Sequence, residues 1–110
     1  MPYDEDLAAR VRRVMARRKN AAEKKMFGGV GFLLGGHMCV GVWKQFLIVR
    51  VGPDGYEGAL RETFVRKFDI TGRAMTGWVM VDPDGLETDD SLRRWIRQAT
   101  AFVSSLPPKT

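Results

Sequence analysis

The chain has 110 residues, the length of one domain, and 45% of them are hydrophobic, so an apolar core can form without disulfides or metals as staples. The single cysteine, Cys39, excludes an internal disulfide, and the acidic start of the chain carries no apolar run typical of a signal peptide. We therefore expect one cytoplasmic domain spanning residues 1–110, and the net charge of +5 keeps nucleic acid among the candidate partners.

The first predicted element is an amphipathic, basic helix. Leu7, Val11, Val14 and Met15 recur at helical spacing. Acidic residues precede this stripe and basic residues end it, as the helix dipole favours. The basic residues are candidate nucleic-acid contacts: Arg10, Arg12, Arg13, Arg17, Arg18 and Lys19. A solvated helix face is the commoner reason for such charge, and both interpretations stay open.

Three strand-like segments follow a connector at residues 20–25. They span residues 26–34, 37–43 and 46–51 and are rich in Val, Phe, Leu and Ile. Residues 26–43 carry no formal charge, which meets the minimum length of a membrane span. Six glycines interrupt that stretch, and Gly35-Gly36 suits a two-residue hairpin turn, so we expect paired strands and no membrane span.

A tight turn at Gly35-Gly36 predicts which side chains share a face. Counting outward pairs Leu33 with Met38 and Phe32 with Cys39. One face is then apolar and expected to lie under helices: Phe27, Leu33, Met38, Val40, Val42, Leu47, Val49 and Val51. The other face carries the predicted partner or dimer surface, beside His37 and Cys39: Val30, Phe32, Trp43, Phe46, Ile48 and Arg50.

The second half of the chain predicts two helices and two strands. We expect a short helix over residues 56–64, a strand over 68–70 and a firmer strand over 78–81. Thr88 is the predicted N-cap of a long helix that ends at Pro107. The order α-β-β-β-α-β-β-α predicts a two-layer α+β fold, with a five-stranded antiparallel sheet and helices packed on one face.

Two blocks of sequence resemble a known family. Lys25-Met26-Phe27-Gly28-Gly29 after a basic helix, and Gly72-Arg73-Ala74-Met75-Thr76-Gly77-Trp78-Val79, are similar to motifs of the N-terminal domain of the TfoX/Sxy competence regulators. Leu106-Pro107-Pro108-Lys109 resembles the ending of its stand-alone members. The resemblance implies a secretion-chaperone-like fold, frequent dimers and a role in transcription regulation, without the C-terminal domain of longer members. It implies no catalytic residues.

No motif predicts catalysis, a cofactor or a metal site. His37 and Cys39 lie two residues apart on one strand, but a nucleophile pair needs an orienting group and a metal needs more ligands, so packing is the preferred interpretation. The glycines around Gly31 do not match a phosphate-binding loop, and Asp82-Pro83-Asp84-Gly85 does not match a calcium loop.

We therefore expect a non-enzymatic regulatory module that works through protein contacts, with a second copy or an unknown protein as its partner and no small-molecule substrate. Direct nucleic-acid binding by the first helix is the alternative. A small enzyme that uses His37 and Cys39 is the third hypothesis.

Overall fold

The computed structural model describes residues 3–26, 28–69 and 72–107, and within them the chain forms three α-helices and one antiparallel sheet of six strands. The helices are α1 (Glu5–Met15), α2 (Gly52–Leu60) and α3 (Asp89–Ser104). The strands are β1 (Ala21–Met26), β2 (Gly29–Leu34), β3 (His37–Trp43), β4 (Phe46–Arg50), β5 (Val65–Lys67) and β6 (Trp78–Val81), in the order β1-β2-β3-β4-β6-β5. The predicted α+β class with an antiparallel sheet is confirmed.

The predicted strand count of five is wrong, because the connector before the first glycines is itself a strand. All six residues of β1 pair antiparallel with β2, from Ala21 opposite Leu34 to Met26 opposite Gly29. The predicted first strand is therefore divided between the end of β1 and β2. Four consecutive exposed residues of β1 suit a sheet edge, where charged side chains discourage pairing with another chain.

Two elements in the second half also differ from the prediction. Helix α2 begins at Gly52 and ends at Leu60, four residues earlier at each end than expected, and the strand expected at residues 68–70 is replaced by β5 just before it. Phe27, Ile70 and the residues after Pro107 lie outside the described part of the chain. The expected positions of β6 and of the α3 N-cap Thr88 are confirmed, since the Thr88 side chain accepts a hydrogen bond from the Ser91 amide.

A β-bulge at Cys39 shifts the predicted register between β2 and β3. Leu34 lies opposite His37 and Leu33 opposite Met38, as the tight turn requires. The next pair joins Phe32 to Val40, so Cys39 is the unpaired extra residue. Side chains alternate between the two faces of a strand. A shift of one residue in the pairing therefore moves the side chains of one strand beyond the bulge to the opposite face, relative to the side chains of its partner strand.

One buried cluster contains residues of all three helices and one face of the sheet. Its largest fully buried members include Trp95 and Leu92 of α3, packed with Leu47 of β4. The sheet contributes this set: Val30, Phe32, Cys39, Val40, Val42, Leu47, Val49, Val79 and Val81. Alternate residues of β4 and β6, such as Ile48 and Met80, lie on the opposite side of the sheet, which we call the second sheet face.

The start of α2 depends on two glycines. Gly52 has a positive φ of 82°, and a Cβ atom there would overlap the Phe102 ring of α3. The Gly77 carbonyl, just before β6, accepts hydrogen bonds from the amides of Val51 (2.9 Å) and Gly52 (3.0 Å). This clamp joins the end of β4, α2 and β6. No helix in the described ranges is long and apolar enough to cross a membrane.

Candidate interaction surfaces

The second sheet face is rich in aromatic and methionine side chains. By register it carries Met26, Met38, Trp43, Phe46, Ile48, Arg50, Trp78 and Met80. Ile48 and Met80 are buried, at 3% and 4% exposure, whereas Trp43, Phe46 and Trp78 around them are half-buried. The strand residues therefore form an apolar band that is partly exposed at its aromatic members. Exposed apolar patches occur at protein-binding sites.

Cations lie over the aromatic rings of this face. The Lys44 ammonium is 4.6 Å from the Trp43 ring centroid, and the Arg66 guanidinium is 5.2 Å from the centroid of Phe46. The Trp43 and Phe46 rings stack with centroids 6.2 Å apart. Such cation–π contacts stabilise the positions of the rings and border an apolar surface with positive charge.

Arg50 lies at one end of this surface and contacts both layers of the fold. Its guanidinium lies 5.2 Å from the Trp78 centroid and 5.6 Å from that of Phe102 on α3. Phe68, in the segment after β5, packs with its ring centroid 6.0 Å from Trp78 and lines a shallow depression beside Ile48. The Phe68 side chain therefore covers part of the second sheet face.

Two glycines face each other at the centre of this surface. Gly31 of β2 lies opposite Gly41 of β3, and the methyl groups of Met26 and Met38 cover the gap. A Cβ atom on Gly41 would be 2.8 Å from the Met38 methyl carbon. Methionine is flexible enough to fill such a gap and to repack against another surface.

Four of the six residues predicted for the partner face lie on it: Trp43, Phe46, Ile48 and Arg50. The placement of Val30 and Phe32 on that face is wrong, and so is the placement of Met38 beneath the helices, since Met38 lies on the second sheet face. Val30 and Phe32 are in the buried cluster, with exposures of 3% and 2%, because the bulge at Cys39 turns the β2 side chains to the other side.

The predicted basic residues lie in α1 and in the turn that follows it, and they divide between two sides of this first segment, residues 5–19. Arg12 pairs with Glu23 of β1 at 2.8 Å, and Lys19 lies near the β2–β3 turn. The other four predicted residues line a groove of about 550 Å³ between α1 and α3: Arg10, Arg13, Arg17 and Arg18. The predicted basic cluster is therefore only partly one surface.

Helix α3 supplies two more arginines to the same groove. Arg93 and Arg97, one turn apart, join the four from the first segment. Sequence reasoning missed them, although their positions off the apolar stripe of α3 could have indicated an exposed basic side. Val14, Leu92 and Ile96 provide the apolar part of the lining, and Asp89 is its one carboxylate among the described residues.

His37 and Cys39 have separate surroundings. The His37 Nε2 atom lies 2.6 Å from the Pro107 carbonyl oxygen, which ties the β2–β3 turn to the end of α3. Cys39 is fully buried at the bulge, and burial raises the pKa of its thiol to about 12. A thiol with that pKa is protonated at neutral pH, so it is a poor nucleophile there.

These features define a small α+β domain whose distinctive chemistry lies on two extended surfaces. A family model described as the TfoX N-terminal domain matches residues 13–103. The chain therefore belongs to the TfoX N-terminal domain family, which is linked in general to the regulation of competence. No curated protein and no solved structure matches the chain.

Proposed function

We propose that this protein is a non-enzymatic regulatory module that forms a homodimer through the second sheet face and acts through protein contacts in the cytoplasm. The observation that carries the proposal is the apolar surface around Ile48 and Met80, bordered by half-buried Trp43 and Phe46. We infer that the helices pack on the opposite side of the sheet and leave this face available. Family membership supports a regulatory role, with transcription of competence genes as the proposed process.

A second copy is the proposed occupant because the surface is self-complementary in character. Aromatic rings and flexible methionines can pack against their counterparts across a two-fold axis, and the cations that lie over the rings of one copy can contact the rings of the other. A stable dimer needs on the order of 800 Å² from each partner. Phe46 belongs to this proposed contact, at the start of β4, where it pairs with Trp43 of β3.

Sedimentation-equilibrium mass measurement tests the dimer. The 12.4 kDa chain should give twice its mass at roughly 100 µM, well above the dissociation constants of stable dimers. Phe46→Asp should give a monomer, because it places a charge in the apolar contact. Phe64→Asp is the matched control, since Phe64 is 44% exposed and lies outside the second sheet face, near Gly85.

The result that contradicts the dimer is a wild-type mass of one chain at that concentration. Loss of the dimer in Phe64→Asp to the same degree would also contradict it, because association would then depend on general surface hydrophobicity. Circular dichroism of both variants separates loss of association from loss of folding.

Direct nucleic-acid binding is the second candidate function. It is favoured by one observation, the arginine-lined groove between α1 and α3.

A further inference from the structure

Helices α1 and α3 run side by side in the same direction, and two arginines of the first segment mark the ends of their contact. The Arg10 guanidinium donates to the Leu86 carbonyl at 2.8 Å, just before α3, and lies 3.4 Å from Asp89. The Arg18 guanidinium donates to the Thr100 hydroxyl at 3.1 Å, about three turns further along α3. These two arginines are held in place by protein groups.

Between those ends, arginines face each other across the groove. The contacts of Arg10 with Asp89 and of Arg18 with Thr100 set the alignment of the two segments. By that alignment Arg13 lies level with Arg93, and Arg17 lies about level with Arg97.

These four arginines have no carboxylate within ion-pair distance in residues 3–26, 28–69 and 72–107. Like charges gathered along one groove repel each other and destabilise the fold unless an anion lies between them.

We propose that this groove, which we call the arginine groove, binds the phosphodiester backbone of a nucleic-acid duplex. Guanidinium groups match phosphate oxygens in two-point hydrogen bonds, and all six cationic residues that line the groove are arginines. Among the residues that the structure describes, the lining includes no aromatic side chain, so it offers none of the stacking platforms on which single strands are bound. Contacts of this kind hold a duplex without reading its sequence.

This inference gives the second candidate function a site, and it is independent of the dimer. The site combines two segments distant in the sequence, and residues 5–19 alone would supply four of its six arginines. A negative result for DNA binding therefore contradicts only the groove proposal, and a monomeric mass contradicts only the dimer proposal.

Fluorescence anisotropy with a labelled mixed-sequence DNA duplex of about 20 base pairs, two helical turns, tests the proposal. Four phosphate contacts predict that log Kobs falls with log salt with a slope of about −3.6, measured from about 50 to 200 mM. Arg13→Gln combined with Arg93→Gln should halve that slope and weaken binding roughly ten- to a hundredfold near 0.1 M salt.

The matched control is Lys24→Gln combined with Lys25→Gln, which removes the same charge from the exposed edge strand β1. It should change the slope by less than about 0.5, because these lysines lie outside the groove. Thermal denaturation of both double variants confirms that they fold.

Four results would overturn the proposal. They are absence of duplex binding at the lowest salt concentration, equal loss of affinity in the control, tighter binding of the corresponding single strand, and displacement of the duplex by polyglutamate as effectively as by unlabelled duplex. The last two would assign the groove to another class of polyanion.

Discussion

Replacing Gly52 by alanine tests whether the start of α2 is held as the structure describes. The φ angle of 82° lies in the left-handed region, which costs an L residue about 1–2 kcal/mol. The new methyl group would also overlap the ring of Phe102, and forced overpacking costs about 1–3 kcal/mol. Alanine also restricts the unfolded chain more than glycine does, which raises the free energy of unfolding by about 0.4–1 kcal/mol. We expect Gly52→Ala to lower the free energy of unfolding by about 3 kcal/mol.

Urea denaturation followed by tryptophan fluorescence measures this loss, which for a chain of this size corresponds to a fall in Tm of roughly 10 °C. Gly58→Ala is the control in the same helix, because Gly58 is exposed and a methyl group added there would have nothing within 4 Å. It should stabilise the protein by about 0.5–1 kcal/mol, since alanine is the better helix former.

The two sources of the Gly52 penalty can be separated. In a Phe102→Ala background the overlap disappears and only the backbone cost should remain, so Gly52→Ala should then cost about 1–3 kcal/mol less than in the wild type. A change of less than about 0.5 kcal/mol for Gly52→Ala in the wild-type protein would refute the described geometry of the clamp, because ordinary surface substitutions have effects of that size.

Two further predictions concern Cys39 and Thr88. Burial raises the pKa of the Cys39 thiol from 9.0 to about 12. Between these pH values the unfolded chain loses a proton that the folded chain retains. The free energy of unfolding is therefore unaffected by this group below pH 9 and falls above it. The free energy of unfolding of wild type should therefore decrease by about 1 kcal/mol more than that of Cys39→Ala between pH 8 and pH 10, measured with urea, and equal decreases would contradict the burial of the thiol. Thr88→Ala removes the hydrogen bond from the Ser91 amide to the threonine hydroxyl and should cost about 1 kcal/mol in the same assay, whereas an unchanged midpoint would show that the cap is dispensable.

Periodicity predicted the elements in which one face alone is buried. In α1 and α3 the buried residues recur at helical spacing, and acidic residues begin both helices. The strands β3, β4 and β6 are rich in β-branched and aromatic residues and were predicted for that reason. The packing of α1 against α3 leaves no periodic pattern in the sequence of either helix. The arginine groove, which both segments form together, could therefore not be predicted from either helix alone.

Strand β1 was missed because its local preferences oppose its structure. Ala21 and Ala22 are followed by Glu23, Lys24 and Lys25, residue types that are depleted in strands. Pairing with β2 supplies the stabilisation that these side chains do not. The short strand β5 was displaced for a related reason, since three residues that pair only with β6 carry too little pattern to set a boundary.

The bulge at Cys39 explains both what the surface prediction achieved and where it failed. Beyond the bulge, Trp43, Phe46 and Ile48 kept their predicted face, because β3 and β4 pair in regular register. Before it, Val30 and Phe32 turned into the core. Strand β2 is apolar on both faces, so either register buries apolar side chains. The sequence therefore does not indicate which of the two registers forms. The shift in register also brings Gly31 opposite Gly41, and the central gap on the second sheet face is thus a consequence of a single unpaired residue in the core.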